Sequence, residues 1–168
     1  MTATSSGRAK LTLPTDEQIL ITREFDAPRN LVYKAMTTPE LVKRWWHANR
    51  GTVTVVEIDL HVGGKWRYVM VAHEGMEVGF HGDYREIVPG ERIVTTEIYE
   101  GLPEGVSDEE GGTVNTATFT EANGRTTLTL LIEATSKVSR DAIIDSGMED
   151  GLQDALDLLE ETAGSLQR

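Results

Sequence analysis

The sequence predicts an α+β fold, a curved antiparallel sheet wrapped around one long C-terminal helix. Two observations carry this. From Ser139 to Leu166, Ile144, Met148, Leu152, Ala155, Leu156, Leu159, Ala163 and Leu166 recur at three- and four-residue steps, the spacing of one helix face. From Thr52 to Ala134 the apolar residues instead alternate with a period of two, broken by Gly- and Pro-containing turns. A single amphipathic helix facing many strands buries its stripe by lying against the concave side of their sheet.

Glu149, Asp150, Asp154, Asp157, Glu160 and Glu161 fall opposite the stripe and read as a solvated acidic face. Gly147 and Gly151 lie four apart on its flank. Each costs about 1 kcal/mol relative to Ala inside a helix. Close packing on the sheet is the preferred reading; room beside Met148 and Leu152 for a ligand is the alternative.

In chain order, residues 1–16 are rich in Ser, Thr, Gly and charge and are expected as a flexible leader, with residues 17–168 forming one domain. Gln18–Phe25 reads as the first strand. Asp26-Ala27-Pro28 then starts a helix, with Asp26 as N-cap and Pro28 in the first turn. Thr38-Pro39-Glu40 repeats the device for a second short helix over Glu40–Trp45. The strands that follow are Thr52–Leu60, Lys65–His73, Val78–Val88, Arg92–Tyr99, Thr113–Glu121 and Arg125–Ala134. Their turns are Val62-Gly63-Gly64, Glu74-Gly75-Met76, Pro89-Gly90 and Ala122-Asn123-Gly124, where glycine supplies positive φ. Glu100–Gly112 is acidic and glycine-containing, and reads as a mobile surface loop.

The three-residue turn Glu74-Gly75-Met76 pairs Met70 with Phe80, Tyr68 with Gly82 and Trp66 with Tyr84, leaving Arg67 opposite Asp83 on the other face. A slip of two residues keeps these faces, whereas a slip of one mixes them. Trp66, Tyr68, Met70, Phe80 and Tyr84 therefore line the inner surface, with Gly82 expected as a gap in that wall.

Composition narrows the function. The chain has 168 residues, a net charge of −12 and no cysteine. Such acidity disfavours nucleic acid and anionic membrane surfaces, which attract basic patches. No apolar run reaches the ~18 residues of a membrane span, and Met1–Lys10 lacks the apolar core of a secretory signal, so no membrane insertion and a cytoplasmic location are expected. Disulfide and thiol chemistry are excluded.

Several short motifs occur in order: Phe25-Asp26-Ala27-Pro28; Pro39-Glu40-Leu41 leading to Arg44-Trp45-Trp46; Glu57-Ile58-Asp59-Leu60 with Gly63-Gly64-Lys65-Trp66; and Tyr84-Arg85-Glu86-Ile87-Val88-Pro89 with Glu91-Arg92-Ile93-Val94. In these the chain resembles the homologues of the heat-shock-protein-90 ATPase activator, within the START-like (SRPBCC) superfamily. The match runs from about Ile19 to Leu159. The resemblance implies a helix-grip fold and, by analogy with the superfamily, a cavity for hydrophobic ligands. A few superfamily members catalyse cyclisation, dehydration or hydrolysis in that cavity, an activity that fold likeness does not transfer. The chain departs from the family pattern at His47-Ala48, where Gly-Pro is common, at His61-Val62, where Arg-Pro is common, and at Leu152, where an aromatic is common.

The residues expected to line a ligand site are Trp46, His47, Trp66, Tyr68, Met70, Phe80, Tyr84, Met148, Gly151 and Leu152. Adjacent helical residues cannot share a face, so one of Trp45 and Trp46 belongs to the core and the other is partly exposed. The four histidines are scattered, and His73 and His81 fall on the outer face, so no metal ligand set is assigned. His47, at the end of the second helix, is either an ordinary surface or packed histidine or an acid–base group at the pocket entrance. No nucleophile motif is present, and no catalytic residue and no cofactor are assigned. Three readings stand: a binding protein for a hydrophobic small molecule, a cyclase- or hydrolase-type enzyme using the same cavity, and a chaperone-activator-like interaction module. A homodimer is left open.

Overall fold

The computed structural model describes residues 8–101 and 104–167. Eight strands form one antiparallel sheet: β1 (Lys10–Thr12), β2 (Gln18–Phe25), β3 (Gly51–Ile58), β4 (Lys65–Ala72), β5 (Glu77–Val88), β6 (Arg92–Tyr99), β7 (Thr113–Ala122) and β8 (Arg125–Glu133). Their order is β1-β2-β8-β7-β6-β5-β4-β3. Two helices, α1 (Arg29–Thr37) and α2 (Pro39–Val42), follow β2, and α3 (Asp108–Gly111) sits between β6 and β7. The chain closes with α4 (Lys137–Asp145) and α5 (Met148–Ser165). This is the helix-grip arrangement, with α5 on the concave face of the sheet and α1 packed against it.

The segment expected as one helix is two. Gly147 adopts φ +83°, a left-handed conformation that stops α4 and starts α5. The stripe survives the break: Ala155, Leu156, Leu159 and Ala163 are buried against Phe25, Val32, Phe119 and Leu128. Gly151 is not a close-packing site, since a Cβ there would meet nothing within 4 Å. The acidic face is also not wholly solvated. Arg23, 2% exposed, reaches from β2 to Asp157 at 2.8 Å and Glu160 at 3.0 Å. Its guanidinium stands 5.1 Å from the centre of the Phe25 ring.

Part of the expected leader belongs to the sheet. β1 pairs with β2 (Leu11 opposite Ile21), and Ala9 and the buried Gln153 exchange amide hydrogen bonds of 3.0 and 2.9 Å. Residues 1–7 lie outside the described residues. The expected Asp26 cap is replaced: Pro28 is the N-cap of α1, and the Arg29 amide donates to the Glu121 carboxylate at 2.7 Å. Pro28 has no N–H and no side-chain acceptor, so the cap comes from another strand. At α2, Thr38 and Pro39 take the cap and first helical positions, as read from the sequence.

The β4–β5 register differs from expectation by two residues: Tyr68 faces Phe80, Trp66 faces Gly82 and Arg67 faces His81. The turn is His73-Glu74-Gly75, closed by the Ala72 amide on the Met76 carbonyl at 2.8 Å. It places Gly75 at φ +93° in the third loop position, where this hairpin type needs a left-handed residue. Because the shift is even, the faces are those expected. Gly82 is not a gap. The Trp66 indole lies over it and donates to the Thr96 carbonyl at 3.0 Å, and a Cβ on Gly82 would stand 2.8 Å from the indole nitrogen.

The expected acidic loop contains α3, capped by Ser107 and held to the start of α4 by Thr135 and Ser139 hydroxyls on the Glu110 carbonyl.

Candidate functional site

The inner face is filled at one end and open at the other. At the closed end Phe25, Phe119, Leu128 and Leu159 are each at most 2% exposed. At the open end Tyr68, Met70, Val78, Phe80, Glu97, Tyr99, Asn115, Met148 and Leu152 remain partly exposed although their strand parity or helix face directs them inward. The residues of this face that α5 leaves partly exposed lie on β4–β7 and on the first turns of α5 itself.

Aromatic rings cluster on this part of the face. Trp46 meets Tyr68 edge-on at 5.5 Å and Phe80 at 5.9 Å between centroids, and Phe80 meets Tyr99 at 5.1 Å. Trp45, by contrast, is core and donates to the Ala35 carbonyl at 3.0 Å. Trp66 touches Tyr68 at 5.0 Å but packs with Tyr84 and Ile93 in a closed cluster. Burial pushes the Tyr84 phenol up to about 12 and the Tyr68 phenol further in the same direction. Both are neutral hydroxyls at physiological pH.

His47 is half-buried, and its Nδ1 accepts from the Asn49 amide at 2.9 Å. It thus steadies a turn whose Ala48 and Asn49 stand at φ 51° and 61°. That lone pair is committed to local structure. Met148 and Leu152 pack beside Ile19, Ile21 and Ile132, and Gly151 leaves space next to them.

One polar group on this inner face is new. Glu97 follows Ile93 and Thr95 by even steps on β6 and so shares their inward face. Desolvation raises its pKa, partly offset by a hydrogen bond from Asn115. The Thr113 hydroxyl donates to Asn115 Oδ1 at 2.9 Å, which turns the Asn115 amide nitrogen toward Glu97. Glu97 also lies near enough to Tyr68 for its charge to raise that phenol's pKa. Among the described residues it has no ion pair with Lys, Arg or His, and no cluster of His, Asp and Glu could hold a metal ion.

The family model described as activator of Hsp90 ATPase homolog 1-like protein matches residues 26–164, from the turn after β2 to the last turn of α5. The chain belongs to this family. Solved structures agree on the fold of this Hsp90 ATPase activator homolog 1-like chain. A Rhodobacter sphaeroides protein superposes with TM-score 0.85 at 23% identity, over 95% of this chain and 99% of the other. A Chromobacterium violaceum protein gives 0.75 at 27%, over 89% and 98%. An AHSA1-like protein from Aeromonas hydrophila gives 0.63 at 19%, over 88% and 94%. No curated protein matches the chain significantly.

A depression of about 420 Å³ lies at β3–β5 and shares only Trp66 with the expected site. Its walls carry Glu57, Asp59, Lys65, Arg67 and His81. Sequence reasoning missed Glu97, Asn115 and Tyr99 on the inner face. Alternation within Arg92–Tyr99 held the signal, since Ile93, Thr95, Glu97 and Tyr99 have one parity.

Proposed function

We propose that this family member binds a hydrophobic small molecule in a recess between β4–β7 and α5. The carrying observation is the contrast along one inner face, where side chains at one end are fully buried and those at the other keep accessible surface. An apolar, aromatic lining with a few polar groups is the usual composition of a ligand site. Here Trp46, Phe80, Met148 and Leu152 supply the apolar contact, and the Tyr68 hydroxyl and Glu97 supply the polar groups. The family's fold accommodates such a site.

The test is titration with the neutral dye N-phenyl-1-naphthylamine. A single saturable site is expected, with a change in tryptophan emission. Met148→Trp and Gly151→Leu fill the recess and weaken binding while circular dichroism is unchanged. His47→Ala leaves affinity nearly intact, because its ring nitrogen serves the Asn49 turn. A folded protein that binds no dye ends this reading.

Glu97 favours one second reading, acid–base catalysis on the bound molecule, since a desolvated carboxyl exchanges protons nearer neutrality. Turnover of a bound ester or polyketide-like compound that disappears in Glu97→Gln, with affinity retained, would establish it.

A further inference from the structure

Among the described residues, the inward-facing Glu97 has no counter-charge. The cations carried by the neighbouring strands are paired with other acids: Arg67 with Glu100, Lys65 and Arg85 with Asp83, and Arg92 with Glu86. Those on β4, β5 and β6 lie on the opposite face of the sheet or at its far end. What faces Glu97 is neutral, the Asn115 amide held by the Thr113 hydroxyl, and the aromatic wall. An unpaired, desolvated carboxylate is costly to keep, and ring faces attract cations. Both needs are met by the same guest.

We propose that the recess is specific for hydrophobic amines, the ligand's ammonium pairing with Glu97 while its apolar body lies against Trp46, Tyr68 and Phe80. The inference rests on the binding reading above and narrows it to a ligand class. An anionic ligand such as a fatty acid would place a second negative charge beside Glu97. A neutral ligand would leave the carboxyl as uncompensated as it is without one. The chain's net charge of −12 further favours approach of a cation. Tyr68 strengthens the case, because its phenol stays protonated there and so adds no competing charge.

The experiment compares 1-naphthylmethylamine with 1-naphthalenemethanol, which share an apolar body and differ in the charged head. Calorimetric titration is run at pH 7 on the wild type and on Glu97→Gln, each checked for folding by thermal melting. A desolvated charge pair predicts that the wild type binds the amine at least about tenfold more tightly than the alcohol. Glu97→Gln is expected to remove that advantage, bringing the amine's affinity to within about twofold of the alcohol's. Binding of the alcohol as tightly as the amine overturns the proposal and leaves the binding reading intact. So does an amine preference that persists in Glu97→Gln, which would place the ammonium elsewhere on the acidic surface. If neither compound binds the folded wild type, both readings fall.

Discussion

Glu97 and Glu100 stand three residues apart at the end of β6, on opposite faces of the sheet, and their carboxyls are driven in opposite directions. Glu100 accepts from Arg67 at 2.9 Å through both oxygens and contacts His81 Nδ1 at 2.8 Å. These partners, Arg67 first, hold its pKa down at about 2. Glu97 looks inward, and desolvation raises its pKa. Two residues, Ile98 and Tyr99, thus separate a carboxylate that favours folding from one that opposes it.

The Glu100 contribution has a defined acid limit. Its folded pKa lies below the ordinary value of 4.5, so its stabilisation is present above that value and is lost as pH falls toward about 2. Glu100→Gln should lower the urea midpoint at pH 7, and the difference from wild type should shrink between pH 4.5 and 2. A difference that stayed constant through that range would detach Glu100 from acid stability.

Glu97 carries the opposite sign. A raised folded pKa means that the protonated form is the stable one; its contribution is complete below about pH 4.5 and is lost as pH rises through the raised pKa. Glu97→Gln should therefore melt higher than wild type at pH 7 and match it near pH 4. A lower melting temperature at pH 7 would mean that the carboxylate is compensated in the ligand-free protein.

The two helix glycines should respond differently to alanine. At Gly147, φ +83°, a Cβ is strained and Ala costs about 1–2 kcal/mol. At Gly151 nothing stands within 4 Å of the new methyl, and Ala gains about 0.5–1 kcal/mol from helix propensity. Urea denaturation of the two variants reads both signs. Equal destabilisation would restore close packing at Gly151.

Gly82→Ala is predicted to be the most damaging small change in the sheet. Its Cβ would collide with the Thr96 carbonyl and meet the Trp66 indole. Overpacking of this kind costs roughly 1–3 kcal/mol or more. Trp66 should lose its bond to Thr96, which a red shift of tryptophan emission would report; an unshifted spectrum with full stability would contradict it.

Strand limits were legible because alternation is strong where one face is buried. Gln18–Phe25 and Arg92–Tyr99 were read to the residue, and the other long strands to within two. The β4–β5 register was not, since a glycine in a three-residue turn fits the centre as readily as the end until its φ is known. The helix break at Gly147 was hidden because the apolar spacing of Ile144, Met148 and Leu152 continues across it. In the site, the rings of Tyr68 and Phe80 were visible as large residues of one parity, whereas the sequence left open which of Trp45 and Trp46 joins them. Glu97 was not, because a lone carboxylate in a strand reads as solvent-facing unless parity is followed through it. Arg23 was missed for the same reason: a charged residue between Ile21 and Phe25 shares their buried face only because α5 brings two acids to it.

That arginine has a mechanical consequence. Successive helical residues point about 100° apart, so rolling α5 by one position would swing Asp157 and Glu160 off the guanidinium. A bare charge in that place costs about 3–5 kcal/mol, comparable to a large part of a domain's whole stability. Arg23 therefore works as a latch on the helix's rotation. With α5 latched there, a ligand in the proposed site would be accommodated above all by Trp46, whose ring is carried by the short segment after α2 rather than by a strand.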